Sequence, residues 1–300
     1  MTGRNRERVL VLGAKGWVGG RFVSYLKTIG LDVVGGSRSD LDYYDPEVLR
    51  SFIQREKIGF LVNCGGYTGK PNVDACELHK AECLSGNAVL PGRIRQACEE
   101  AAIPWGHVSS GCIYSGDGPH GDGFKEADIP NFSFRSGNCS FYSGTKALGE
   151  EMLEGAENCF VWRLRIPFDH IDSPRNFLTK LMTYKKLLIA RNSLSHLDDF
   201  VESAWACWHE KIEFGTYNLT NPGSVTTEEV VQLIKAAGLS NKEFEYFEDE
   251  EDFMKIAAKT PRSNCVLDST KAIGVGLPLR PVGEALKASL TNWKRMGERP

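Results

Sequence analysis

Tyr142-Ser-Gly-Thr-Lys146 puts a phenol and an ammonium four residues apart, on one face of a helix. The positive charge lowers the cost of a phenolate, so Tyr142 can exchange a proton nearer neutral pH than its ordinary ~10. A phenol so placed can protonate the oxygen of a carbonyl while a hydride reaches the carbon. Lys146 can also hold a ribose. Ser110, at the end of an apolar stretch, can give that oxygen a further hydrogen bond. Two residues on, in Val108-Ser-Ser-Gly-Cys-Ile-Tyr114, stands Cys112. A thiol with a pKa near ~8.5 becomes a base at modest cost beside a positive group. The competing reading is a small buried core residue.

A hydride needs a donor, and the N-terminal stretch supplies a place for one. Gly13-Ala-Lys-Gly16-Trp17-Val18-Gly19 follows a short apolar strand and opens a helix. Glycines permit the tight turn and let a diphosphate approach the backbone, where the helix N-terminus favours negative charge. Acidic residues often end the second strand of NAD sites. Here Ser37 and Arg38 occupy that tip, with Asp40 slightly beyond. A guanidinium pairs bidentately with a 2′-phosphate, so NADPH is the expected cofactor, with NADH a weaker substitute. Cys64, Gly65, Gly66 and Tyr67 end the third strand and complete the expected cofactor set together with Tyr142 and Lys146.

The elements that must carry these residues alternate. Strands are expected at 7–12, 31–38, 59–66, 103–111 and 158–166. Helices are expected after residue 16 and at 46–57, 73–102 (with a break at Pro91) and 140–155. This spacing predicts an α/β fold, a Rossmann-type doubly wound parallel sheet that binds ligands at its strand ends. After 166 the regularity falls. A helix is expected in Leu178-Thr-Lys-Leu-Met-Thr-Tyr-Lys-Lys-Leu-Leu188, a strand returning to the sheet at 215–223, a capped helix at 226–239 and another at 283–296. The expected domains are 1–166, with 196–222 returning to it, and a smaller substrate-binding lobe from 167–195 and 223–300, with the ligand cleft between lobes.

Composition bounds the partners. The 300 residues are 41% hydrophobic and 25% charged, ordinary for a globular protein. No apolar run approaches the ~18 residues of a membrane span, and the polar N-terminus lacks the pattern of a signal peptide, so a cytosolic protein is expected. The net charge of −3 gives no general basic field for nucleic acid. Nine scattered cysteines form no CxxC pair and no histidine stands at zinc-ligand spacing from two of them; neither a disulfide framework nor a metal is expected. The acidic run at 245–253 reads as a surface turn or helix start.

The glycine loop and the Tyr-Lys pair together resemble an extended short-chain dehydrogenase/reductase. Longer stretches narrow the likeness: Gly66-Tyr-Thr-Gly-Lys-Pro-Asn-Val-Asp-Ala-Cys-Glu77, Gly111-Cys-Ile-Tyr114, 123–132, 141–147, 163–180, 217–223 and 261–272, in order across nearly the whole chain. They are similar to the bifunctional 3,5-epimerase/4-reductases of nucleotide-activated L-rhamnose synthesis, and more distantly to dTDP-4-dehydrorhamnose reductase. The resemblance implies UDP-4-keto-6-deoxy-D-glucose as substrate, UDP-L-rhamnose as product and a separate 4,6-dehydratase upstream. It implies that Cys112 is the epimerase base, because reductase-only relatives carry an aromatic residue there. It implies Lys180 as the partner acid, and Arg175, Asn176, Arg262 and Asn264, with Cys112 and Lys180, as substrate contacts. A reductase lacking epimerase activity is the alternative enzyme, and a non-catalytic regulatory subunit of the same fold the alternative outside catalysis. UDP against dTDP and a homodimer are left open.

Overall fold

The computed structural model describes residues 8–70 and 72–295, so the N-terminal residues on which the leader-peptide reading rests lie outside it. It divides into two compact units. The first comprises the described residues up to Ser109, Ser140–Trp162 and Ala204–Thr216. The second comprises Ser110–Cys139, Arg163–Ser203 and the described residues from Tyr217 on.

The strands of the sheet are β1 Arg8–Leu12, β2 Asp32–Gly36, β3 Ile58–Asn63, β4 Trp105–Ser110, β5 Cys159–Leu164 and β6 Gly215–Asn218. They lie in the order β6-β5-β4-β3-β1-β2, and β1 runs parallel to β2 and β3, as β3 does to β4. This is the expected Rossmann-type sheet, with Gly215–Asn218 as an edge strand beside β5; of the stretch 196–222, the first unit takes Ala204–Thr216. The helices of the first unit are α1 Trp17–Thr28, α2 Pro46–Arg55, α3 Lys80–Leu84, α4 Leu90–Glu100 and α5 Phe141–Glu151.

The alternation of strand side chains explains the layers. Leu10, Leu12, Cys159 and Val161 face one core, shared with Leu49, Ile53, Ile94 and Ala97 of α2 and α4. The alternate residues meet aromatic rings. Phe60 stacks on Trp208 at 4.9 Å, Phe160 on Trp162 at 5.8 Å, and Trp162 on Phe22 at 6.1 Å. Trp162 fits only because position 106 has no side chain. A Cβ on Gly106 would lie 1.9 Å from the indole ring.

Two differences from expectation concern helices. The 73–102 stretch does not break at Pro91. A 3-10 turn, Val73–Glu77, comes first, and the chain is then helical from Lys80 to Glu100 through a π turn at Ser85–Val89. That wider turn ends just ahead of Pro91 and relieves its missing N–H and ring clash. The helix expected at 178–188 is the shorter α6, Phe177–Thr183, after which Lys186–Leu187 pairs with Glu245–Tyr246.

The helix α7, Leu197–His209, runs out of a short strand, Ser195–His196; its residues to Ser203 belong to the second unit and those from Ala204 to the first. The helix α8, Thr227–Ala236, has the expected capping box: Glu229 N donates to Thr226 Oγ1 at 3.2 Å, and Thr226 N to Glu229 Oε2 at 2.7 Å. The acidic run starts a helix as expected, α9 Glu250–Ile256, capped by Asp249. After α10 Thr270–Gly274, the last helix, α11, is Val282–Thr291. Leu178, Val230, Ile234, Leu286 and Leu290 fill the core of this unit.

The unit boundary departs from the expected one because residues 110–139 join the second unit. Gly116 N donates to Asn264 O at 2.8 Å, Phe124 N to Val266 O at 2.9 Å, and Asp268 N to Phe124 O at 2.9 Å. These ladders join segments some 150 residues apart, with no local pattern to announce them.

Gly106→Val should force Trp162 out of its place and destabilise the fold by about 3 kcal/mol through overpacking. Gly283→Ala, in α11 with nothing within 4 Å of the added carbon, should be neutral or stabilising. Urea unfolding of both variants checks the contrast. Equal midpoints would mean that the indole does not need the bare glycine.

Candidate active site

The glycine turn is built from contacts that exclude side chains. Gly13 has φ +72°, a left-handed conformation that favours glycine, and a Cβ there would lie 2.8 Å from the Cys64 carbonyl. A Cβ on Gly19 would lie 2.3 Å from Gly13 O. Gly16 caps α1 with no side-chain hydrogen bond, so the first amides of that helix are not taken by a cap. A cradle of bare backbone at an uncapped helix start fits a dinucleotide diphosphate. Trp17 and Val18 begin that helix.

The tip of β2 carries a second polar group. Ser37 Oγ donates to Asp40 Oδ2 at 2.5 Å, and Ser39 Oγ to Asp40 Oδ1 at 2.8 Å. The hydrogen bond from Ser37, then that from Ser39, holds the Asp40 carboxyl below the usual carboxylate range. Arg38 lies over the Tyr44 ring, 5.9 Å from its centre. The sequence reading missed Lys15, whose Nζ donates to Ser39 Oγ at 3.1 Å and lies 3.4 Å from Asp40 Oδ2. Its place just before Gly16 was the available signal.

The end of β3 is held from the π turn. Tyr67 N donates to Asn87 Oδ1, and Asn87 Nδ2 to Tyr67 O, each at 2.8 Å. Gly65 N donates to Asn63 Oδ1 at 2.9 Å, and Cys64 N to Leu12 O at 3.0 Å. Burial pushes the Cys64 thiol up, so its contribution here is backbone. Asn87 is a residue that sequence reasoning did not single out.

Tyr142 and Lys146 lie one turn apart on α5, as expected. Lys146 is buried, and its Nζ donates to Val108 O at 3.2 Å, two residues before Ser110. Beside it, His107 is fully buried against Asn63 at 2.9 Å. Burial first, then the Lys146 charge, drives the His107 pKa well down and keeps the ring neutral.

In the second unit Ser110 ends β4 and caps a 3-10 turn, Gly111–Ile113: its Oγ accepts from Cys112 N at 3.2 Å. Cys112 is 6% exposed. Arg175 is exposed, and Lys180, on α6, is half-buried. Burial, then the neighbouring Arg175 charge, lowers the Lys180 pKa. Arg262 lies over the Phe253 ring at 5.8 Å and donates to Thr260 O at 3.2 Å. Asn264 Oδ1 accepts from Asn192 Nδ2 at 3.2 Å.

One expected substrate contact has another role. Asn176 is fully buried and caps α6: its Oδ1 accepts from Leu178 N at 3.0 Å, and its Nδ2 donates to Asp169 and Ile171 oxygens at 2.8–2.9 Å. The cap leaves no exposed amide for a ligand. Arg165, which the sequence reading did not select, is buried and donates to Asn192 Oδ1 at 2.5 Å and to Ser263 O.

A Rossmann-type sheet with a bare glycine cradle before α1 and a Tyr-Lys pair on α5 defines the class of extended short-chain dehydrogenases/reductases. The model of the RmlD substrate binding domain matches residues 7–295, and the chain belongs to that family. The dTDP-4-dehydrorhamnose reductase of Bacillus anthracis, solved in complex with NADP, shares the fold with a TM-score of 0.79 at 18% identity, covering 96% of this chain and 98% of that one. Over 267 residues the chain is 34% identical to the bifunctional dTDP-4-dehydrorhamnose 3,5-epimerase/dTDP-4-dehydrorhamnose reductase of Arabidopsis thaliana, covering 87% of this chain and 85% of that protein. It is also 34% identical to a trifunctional UDP-glucose 4,6-dehydratase/UDP-4-keto-6-deoxy-D-glucose 3,5-epimerase/UDP-4-keto-L-rhamnose-reductase of the same plant, over 88% of this chain but only 39% of that longer protein. Among solved structures, the L780 UDP-rhamnose synthase of Acanthamoeba polyphaga mimivirus superposes with a TM-score of 0.88 at 25% identity, covering 96% of this chain and all of that one.

Arg175→Gln should raise the Lys180 pKa, because it removes a like charge beside a poorly solvated ammonium. Carbon-13 NMR of labelled lysine, titrated to high pH, reads the shift. A Lys180 midpoint that does not move in the variant would show that burial alone sets it.

Proposed function

We propose that the chain is an NADPH-dependent enzyme that epimerises UDP-4-keto-6-deoxy-D-glucose at C3 and C5 and reduces its 4-keto group, giving UDP-L-rhamnose. The observation that carries the reading is the Ser110-Gly111-Cys112 turn, a buried thiol fixed by its own amide to a serine hydroxyl, in a chain 34% identical to a bifunctional epimerase/reductase. NADPH, when bound, supplies the hydride. Gly13, Gly16 and Gly19 would hold its diphosphate, and Arg38 with Lys15 its 2′-phosphate. Tyr67 and Gly66 would line its path, and Lys146 would bind its ribose.

In the reduction Tyr142 gives its phenolic proton to O4, and the Lys146 ammonium favours the phenolate left behind. Ser110 gives the same oxygen a hydrogen bond and keeps its proton. In the epimerisation the protons on C3 and C5 are acidic because both carbons neighbour the ketone. The Cys112 thiolate takes a proton, charge develops on O4, and Tyr142 and Ser110 stabilise it. Lys180 returns a proton to the other face; its lowered pKa makes it the readier acid. Arg175 and Arg262 supply local positive charge for the diphosphate that a chain of net charge −3 otherwise lacks. Asn264 supports that segment through Asn192. UDP is favoured over dTDP by the likeness to the viral UDP-rhamnose synthase. The 4-keto substrate then comes from a separate 4,6-dehydratase, and the reaction is one of the cytosol.

The cofactor reading has its own test. Arg38→Ala should weaken NADPH binding by tenfold or more, about the cost of one charge-assisted contact, and leave NADH binding nearly intact. Fluorescence titration with both dinucleotides measures it, and equal losses would remove Arg38 from the 2′-phosphate.

The two reactions are separated by isotope. Epimerisation exchanges the C3 and C5 protons with solvent, whereas reduction does not. In deuterated water Cys112→Ala should incorporate little deuterium at either carbon and yet reduce the unepimerised ketone slowly, giving a 6-deoxysugar other than rhamnose. Tyr142→Phe should lose reduction and keep a slowed exchange, since the developing charge loses a donor worth about 3 kcal/mol. Wild-type exchange in folded Cys112→Ala with NADPH bound would make the thiol packing and the enzyme a reductase only.

A further inference from the structure

We propose that His170, His196 and Asp198 form a binding site for a divalent transition metal, with Zn2+ the ion best suited to it. The sequence spacing expected no metal; the fold assembles this one. Each of the three residues brings one donor atom, and the three atoms lie within 4.8 Å of one another. A parallel pairing sets two of them. Pro167–Phe168 runs beside Ser195–His196 with Phe168 opposite His196, and His170 follows two residues later. Lys294 N donates to His170 O at 2.8 Å and fixes that backbone. Asp198 enters from the first turn of α7, which starts directly after His196.

The shell around His196 is an independent observation that points to a ligand. Its ring is buried and meets Phe168 edge-on at 5.4 Å. Its Nδ1 lies 3.1 Å from Asp199 Oδ1. Asp199 is itself held by Asn221 Nδ2 at 2.7 Å and by Arg280 Nη2 at 2.6 Å. Donation of Nδ1–H to Asp199 leaves the lone pair on Nε2, the tautomer a metal takes, and a carboxylate behind an imidazole raises its basicity as a ligand. Arg280 Nη2 also stands 3.1 Å from Nδ1, and Asp199 N 3.4 Å, so the metal would select between two arrangements of this shell.

The donors choose the ion. Two imidazoles and a carboxylate, with no thiolate, suit Zn2+ and its neighbours in the first transition row better than Mg2+ or Ca2+. Three protein ligands leave the fourth position for water. Asp198, Asp199 and Glu202 place negative charge around Arg280. None of this involves the residues assigned to reduction or epimerisation.

The test uses the full chain stripped with a chelator and then titrated with Zn2+ and, in parallel, Co2+. One Zn2+ should bind per chain by calorimetry. Bound Co2+ should give visible ligand-field bands without the near-ultraviolet band of a thiolate ligand. His170→Ala and Asp198→Asn should each weaken Zn2+ binding about tenfold or more, and Asp199→Asn should do so through the imidazole, by about 10–100-fold. If His170→Ala does not fold, His170→Gln, checked by circular dichroism, takes its place. Zn2+ should raise the melting temperature of the wild type and not of these variants. Unchanged Zn2+ affinity in the folded His170 and Asp198 variants, a thiolate band with Co2+, or no saturable binding would each overturn the site.

Discussion

The position of Lys146 depends on one buried carboxamide. Asn87 accepts from Tyr67 N and donates to Tyr67 O, and its Nδ2 also lies 3.2 Å from Thr145 Oγ1, one residue before the lysine. Thr145 Oγ1 in turn donates to Tyr142 O at 2.8 Å. The loop after β3 and the helix bearing the Tyr-Lys pair are thus tied to the same side chain. Leaving any one of these buried groups unpaired costs about 1–3 kcal/mol, more than a typical hydrogen bond contributes. The tie also needs close approach. A Cβ on Gly149 would lie 2.1 Å from Asn87 O, so α5 can reach the π turn only through a bare glycine. The π turn puts Asn87 where both neighbours can use it, and irregular helical turns of this kind recur at functional sites.

This explains which features were legible in the sequence. Strand alternation, the glycine turn, the capping box of α8 and the return of β6 to the sheet are each written in a local pattern. The Tyr-Lys pair follows from helical period alone. The π turn is not: Ser85-Gly-Asn-Ala-Val89 is a run of mostly weak helix formers with no signature of a wider turn, and only the packing of Gly149 and the bonds of Asn87 distinguish it. The assignment of 110–139 to the second unit is equally hidden, because its backbone partners lie at 264–268. Lys15 was in plain view inside the glycine loop, but its contact with Ser39 required the tip of β2 to fold back beside it.

Motif likeness also fails to separate residues within one short stretch. Arg175-Asn176-Phe-Leu-Thr-Lys180 reads as a single substrate-facing motif, yet the fold divides it. Asn176 has every polar atom engaged in capping α6 and bracing Asp169, while Lys180, one turn further, is left poorly solvated beside a second cation. A cap is a backbone requirement and a low-pKa lysine is an environmental one. Residue type and spacing encode the first at best and cannot encode the second.

The two cysteines nearest the Ser110 turn make a similar contrast. Cys265 is fully buried, burial raises its pKa, and its thiol donates to Gly111 O at 3.2 Å. That bond, and Leu267, whose methyl would lie 2.5 Å from a Cβ on Gly111, press the 3-10 turn from one side. Cys265 therefore serves as packing with a structural hydrogen bond, and replacing it would alter the turn before any chemistry. Cys112 is anchored through its backbone amide, which donates to Ser110 Oγ at 3.2 Å. That hydrogen bond fixes Cys112 beside the Ser110 hydroxyl, so a change at either residue alters the same 3-10 turn.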